Sequence, residues 1–252
     1  MIDLTPLVRF GLLLVRPGML ITMAPGFGGN YAPARVKIGL TALIAIALMP
    51  AAAVHPLGDP LPLALVIARE VAIGLALALA IRVLVAGAEF AGHLAGFQMG
   101  LSYGATVDPQ SGVRNPLIAV LFGNIAVLTF LTIDGHHAFL RALRQSYVDL
   151  PVGGGGVDQS LPSTVAQMLG IVFTLGVRLV APIVVVLLVV EIAMALLARS
   201  APALNLMVAG APVRLIVGLL VLAVMVPAVA SLVAGVSGLV VRVAVQAAGA
   251  FR

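Results

Sequence analysis

Leu215-Ile-Val-Gly-Leu-Leu-Val-Leu-Ala-Val-Met-Val-Pro-Ala-Val-Ala-Ser-Leu-Val-Ala-Gly-Val-Ser-Gly-Leu-Val-Val241 runs for 27 residues without a charge. About 20 apolar residues suffice for an α-helix to cross the hydrocarbon of a bilayer. Three more charge-free runs occur at Ile38 to Gly58, Asn115 to Ile133 and Gln159 to Val177. Lipid offers the backbone no hydrogen bonds, so such runs are helices or strands of a closed barrel. Barrel strands alternate apolar and polar residues, and these runs do not alternate. The expected fold class is all-α, a polytopic membrane-inserted protein of long, kinked helical hairpins forming one domain over residues 1–252.

The whole chain supports that reading. Mean hydropathy is +1.21 and only 9% of the residues are charged, against roughly 25% in soluble domains. So few charges cannot cover a soluble core of this size. There is no cysteine, which removes disulfides, thiol catalysis and thiolate metal sites. The start, Met-Ile-Asp-Leu-Thr-Pro, has an acid where a secretory signal carries positive charge, so the first apolar stretch is expected to be a retained helix. Net charge is +5, but the basic residues are scattered singly. No cluster marks a nucleic-acid groove or a polybasic lipid site. The three tyrosines, Tyr31, Tyr103 and Tyr147, lie near ends of apolar segments, a thin version of an interface belt.

Apolar segments fall at 7–29, 36–54, 63–88, 90–107, 115–133, 163–198 and 206–245. Turn-forming stretches separate them: Pro25 to Pro33, Pro50 to Pro62, Thr106 to Pro116, and Asp149 to Pro162 with its four-glycine run. No proline lies between Pro62 and Pro109. As one helix that stretch would be about 65 Å long, more than twice what a bilayer needs. Either the chain reverses near Val85 to Gly92 or the helices extend beyond a bilayer. If six spans are assumed, Arg35, Lys37, Arg114, Arg199 and Arg214 face Arg9, Arg141, Arg144, Arg242 and Arg252 across the membrane. The tally is even, so positive charge sets no orientation.

The strongest local pattern is Gly92, Gly96, Gly100 and Gly104, extended by Ala88. On an α-helix a four-residue step turns 400°, so this series forms a stripe about 18 Å long. Without side chains, another helix backbone can approach closely. A helix-packing role is therefore expected. The segment behind it, Thr106-Val107-Asp108-Pro109-Gln110-Ser111-Gly112-Val113-Arg114-Asn115-Pro116, is polar between apolar helices. Irregular backbone at membrane depth must be buried in protein or line a watery space. It is a candidate pore-lining or gating loop, or else a surface turn.

Glu70, Glu89, Asp134 and Glu191 sit in or beside apolar segments, where acids suggest ion or proton passage. Three of them also have a basic neighbour for structural pairing: Arg69 for Glu70, Arg82 for Glu89 and Arg199 for Glu191. His136 and His137 are adjacent and expected to diverge by about 100° on a helix, a poor metal site without a third ligand. The glycine run lacks the Lys-Ser/Thr of a phosphate loop, and no serine sits in a nucleophile elbow. No catalytic residue, metal or cofactor is expected. The residues leave two classes open, a structural subunit of a membrane complex or channel and a secondary transporter; no internal repeat favours the latter.

Several motifs in order resemble one family. They are Ala32-Pro-Ala-Arg-Val-Lys-Ile-Gly-Leu40, Gly96-Phe-Gln-Met-Gly-Leu-Ser102, Val107-Asp-Pro109, Asp134-Gly-His136, Leu150-Pro-Val-Gly-Gly154, Arg199-Ser-Ala-Pro-Ala-Leu-Asn205 and Gly210-Ala-Pro212. Together, over nearly the full length, they resemble the FliR family of flagellar and type III secretion export-gate proteins. The Gly-Phe-Gln-Met-Gly-Leu-Ser form is more similar to the flagellar members than to those of virulence injectisomes. Two departures stand out: Leu206-Met-Val-Ala-Gly-Ala-Pro212 replaces a more aromatic stretch, and Asp134 stands where Asn is more usual. The resemblance implies a non-enzymatic subunit of a helical, hetero-oligomeric export gate in the bacterial inner membrane. It implies FliP and FliQ homologues as core partners, FlhB and FlhA homologues beside them, and exported flagellar proteins as passing cargo. It places a plug loop on Thr106 to Pro116, with Gln98, Met99, Asp108 and Pro109 as matching positions near the pore. It also implies helices lifted out of the ordinary bilayer plane.

Overall fold

A computed structural model describes residues 5–24, 28, 32–52, 60–101, 117–153, 161–200 and 206–251. These form seven α-helices: α1 (Thr5–Met23), α2 (Ala34–Leu48), α3 (Pro60–Gln98), α4 (Leu117–Thr132), α5 (Gly135–Asp149), α6 (Leu161–Ser200) and α7 (Leu206–Gly249). A 3-10 turn at Met49–Ala51 follows α2. The breaks fall in the stretches rich in Pro and Gly, where backbone freedom and missing N–H groups stop helices.

Four helices among the described residues are long and apolar enough to cross a membrane, and up to five if the bent pair α4–α5 counts as one span. Six spans, assumed for the charge tally with 63–107 counted as one, is more than the described residues supply. The apolar segment at 36–54 yields only the 15-residue α2, about 22 Å long. The segments at 63–88 and 90–107 merge, because α3 runs unbroken for 39 residues with no reversal near Val85 to Gly92. With α6 at 40 residues and α7 at 44, three helices are about 58 to 66 Å long. Prolines inside α1, α6 and α7 interrupt their hydrogen-bond ladders without ending them, as neighbouring groups in membrane proteins allow.

Helix α5 is an addition to the sequence reading. It is amphipathic, burying Phe139, Leu143 and Tyr147 at four-residue spacing and exposing Leu140, Arg141 and Arg144. The chain enters it through a 70° bend.

The chain divides into two compact units. One is Met1–Val83, Phe130–Gly170 and Ser237–Arg252; the other is Leu84–Thr129 and Ile171–Val236. The first buries Leu12, Leu13 and Leu20 of α1, Ile73 and Leu77 of α3, and Phe139 and Leu143 of α5. The second has a core of small residues on α3 (Ala88, Ala91, Ala95) together with Phe122, Leu175, Leu179 and Val233.

Candidate functional site

In the second unit the glycine stripe divides into positions with different roles. A methyl group added at Gly92 would fall 2.6 Å from the Ile118 carbonyl oxygen and against Ala119 Cα, so α3 and α4 meet there backbone to backbone. The same methyl at Gly96 would lie 3.9 Å from Ile118, an ordinary contact. Gly100 has left the helix, at φ 79°. Its N–H donates to Phe97 O, and the Leu101 N–H donates to Gly96 O. That nested pair is a Schellman cap, whose left-handed residue favours glycine. Gly104 lies outside the described residues, as does the whole segment Thr106 to Pro116.

The helices on either side of that segment pack against one another. Glu89 lies across Gly123, Gly92 against Ala119 and Gly96 against Ile118. As α3 advances α4 recedes, so the two helices are antiparallel and held together just outside the polar connection. Met99 is buried, and Gly218 of α7 makes room for it: a Cβ there would sit 2.5 Å from Met99 Cγ. Gln98 beside it is half-buried. Gly87 and Gly176 seat Leu175 and Phe90 in the same unit.

The first unit contains a polar node that the sequence reading did not assemble. Arg16, on α1, is fully buried. Its Nε donates to Glu70 Oε2, and Nη2 donates to Glu70 Oε1 at 2.9 Å, a bidentate pair. Nη2 also donates to Leu150 O at 2.7 Å. Nη1 donates to Ser146 O at 2.7 Å and to Ser146 Oγ at 3.2 Å. All five guanidinium N–H groups thus have acceptors. The group lies 4.5 Å from the centre of the Tyr147 ring. Gly74, one turn after Glu70, lets α1 come close: a Cβ there would be 3.0 Å from Arg16 Cα. The motif Leu150-Pro-Val-Gly-Gly154 has a role at this point. It ends α5 with the Leu150 carbonyl turned to Arg16, followed by buried Val152 and Gly153 at φ 89°.

The basic partners expected for two acids are corrected. Glu70 pairs with Arg16, not Arg69, because consecutive helical residues point about 100° apart. Arg69 Nη2 instead donates to Phe251 O. Glu191 pairs with Arg214 of α7 at 3.3 Å, not with Arg199; a step of eight residues leaves Arg199 on another face. An isolated arginine inside an apolar run was the available signal for the node, since such a charge demands a buried acid.

Pro17 adds a second demand. It lacks the N–H that would bond the carbonyl four residues back, which is Leu13 O. Tyr147 Oη donates to that oxygen at 3.0 Å. Tyr147→Phe is expected to cost about 1–2 kcal/mol by stranding the carbonyl. In a Pro17→Ala background, which restores the N–H, the same substitution is expected to cost less. Thermal unfolding in detergent, followed by circular dichroism, measures both. Equal costs in the two backgrounds would refute the pairing.

At the bend between α4 and α5, Asp134 adopts a left-handed conformation at φ 56°, ψ 29°. Asp and Asn are among the few side chains that tolerate it. Gly135 follows because the Phe130 ring covers it, leaving no space for a Cβ. The rings of His136 and His137 do not diverge as expected: their centres are 4.1 Å apart. The non-helical Asp134 and the first turn of α5 let both fold to the same side.

These features define a class: an all-α, polytopic membrane protein with the acids Glu70 and Glu191 in structural pairs and no nucleophile–base constellation among the described residues. A family model, Bacterial export proteins, family 1, matches residues 7–239. The chain is 33% identical over 219 residues to flagellar biosynthetic protein FliR of Escherichia coli strain K12, covering 86% of this chain and 84% of that protein. It is 33% identical to the FliR of Pectobacterium carotovorum over 84% of this chain and 82% of that one. It is 28% identical to the FliR of Bacillus subtilis strain 168 over 88% and 87%. The chain belongs to the bacterial export proteins, family 1, the family of FliR.

Proposed function

We propose that this chain is a non-enzymatic subunit of the flagellar type III export gate in the bacterial inner membrane, packed with FliP and FliQ homologues and adjoined by FlhB and FlhA homologues. One observation carries the reading beyond family membership. Val165, Leu169, Phe173, Val177, Val185, Val189, Ile192 and Leu196 are all exposed along α6. These exposed apolar residues, which wind around the helix, extend over about 46 Å at ~1.5 Å per residue, against ~30 Å of hydrocarbon. Lipid cannot cover all of them, so other apolar helices do. A monomeric transporter would leave the excess in water.

The polar connection Thr106 to Pro116 is the gate's plug. It connects two antiparallel helices that meet closely at Gly92. Gly112 makes the middle deformable; Pro109 and Pro116 restrict where it bends. Met99, seated over Gly218, anchors the root, and Gln98 faces the passage. Cargo shifts the loop between closed and open positions in proportion to its preference for the open one.

Deleting residues 108–114 is expected to leave the complex assembled but the membrane leaky to small ions. Detergent co-purification with the FliP and FliQ homologues reads the first, and growth sensitivity to external ions the second. An ion-tight membrane carrying the assembled deletion variant would overturn the plug role. Chain that emerges as a monomer from cells holding those homologues would overturn the subunit reading. Loss of motility on gene deletion, with growth intact, distinguishes the flagellar system from an injectisome.

A further inference from the structure

We propose that Asp134, His136 and His137 form a binding site for a borderline divalent cation of the zinc(II) type. One ligand atom from each residue lies within 4.8 Å of the others. The Asp134 carboxylate does not cap α5, although Asp134 occupies the N-cap position. It faces His137 instead, with Oδ1 3.3 Å from Nδ1. Asp134 is the one described non-glycine residue with positive φ. His136 supplies an independent sign: its Nδ1 is buried and has no hydrogen-bond partner. An imidazole nitrogen left so is a vacant donor position for a metal.

The donor set suits zinc. Two imidazole nitrogens and one carboxylate oxygen form a common three-ligand group, bound at about 2.0–2.2 Å with a fourth position open. Tetrahedral bonds of that length put ligand atoms about 3.4 Å apart, so side-chain rotations alone would close the present spacing. Asp134 and His137 are exposed while His136 is half-buried, which makes the site accessible and its fourth position available to water. The α5 N-terminus opposes a cation weakly; the full negative charge of Asp134 outweighs it. Zinc bound here would span the bend between α4 and α5 and stiffen it.

The test uses the full chain, purified in detergent through an affinity tag without histidine. Zinc is titrated in competition with a chromophoric chelator, and the thermal midpoint is read with and without it. One equivalent is expected to bind with micromolar or tighter affinity and to raise the midpoint. Asp134→Asn keeps the left-handed backbone but is a poorer ligand; about tenfold weaker binding is expected, in line with loss of one ligand. His136→Ala with His137→Ala is expected to abolish saturable binding, while His93→Ala leaves it intact. Absence of binding at millimolar zinc in the wild-type chain, or unchanged affinity in the double variant, would overturn the proposal.

Discussion

Arg16→Ala is expected to be the most damaging single side-chain truncation in the first unit, costing about 3–5 kcal/mol. The substitution strands Glu70, a fully buried carboxylate, and removes donors from Leu150 O and both Ser146 oxygens. A domain's entire stability is only about 5–15 kcal/mol, so accumulation in the membrane should fall as well. Glu70→Ala is expected to be comparably harmful, since it leaves a buried guanidinium without its counter-charge. The pair Arg16→Met with Glu70→Leu should be much milder than either single change, because matched apolar replacements strand no charge. Ser146 and Leu150 would still lose Arg16, so recovery should stop short of wild type. The chain has no tryptophan, so unfolding is best followed by far-ultraviolet circular dichroism. Single variants that unfold with the wild type would show that the node contributes nothing.

Gly92→Leu is expected to separate α3 from α4. Even one methyl at Gly92 collides with the backbone of Ile118 and Ala119, and backbone cannot rotate away as a side chain can. The cost should reach or exceed the ~3 kcal/mol typical of overpacked sites. In the cell the result is loss of the assembled complex and of motility. Gly96→Ala is the matched control. It has room and replaces glycine inside a helix, so it should be neutral or stabilising by about 0.5–1 kcal/mol. Gly100→Ala falls between, because it strains a left-handed cap at about 1–2 kcal/mol. If Gly92→Leu assembles as well as Gly96→Ala, close approach at this stripe is not what joins the helices.

Spacing alone gave the stripe as one face, and the three described glycines divide into tight contact, ordinary contact and cap. A four-residue repeat says which residues share a face, not where a partner helix crosses or where the helix ends. Span count was misread for a related reason. Hydropathy measures how long a run stays apolar, so it counted the 15-residue α2 as a span. Helix α5 was missed because Arg141, Arg144, Gln145 and Asp149 dilute its average; the signal lay in Phe139, Leu143 and Tyr147 recurring every four residues. Pairing of charges was least legible. Arg16 and Glu70 are 54 residues apart, whereas adjacency suggested Arg69. The overlong α3, by contrast, was one of two readings that the proline-free stretch between Pro62 and Pro109 allowed, the other being a reversal near Val85 to Gly92.

The Arg16 node also sets a timetable for synthesis. Arg16 leaves the ribosome early, while its last acceptors, Ser146 and Leu150, come 130 and 134 residues later. At bacterial translation speeds that gap is on the order of ten seconds. For the first 54 residues of that interval the charge has no partner of this node, and Glu70 then accepts two of its five N–H bonds. That charge makes early insertion of the first helix costly, and its full set of acceptors exists only once α5 has been made.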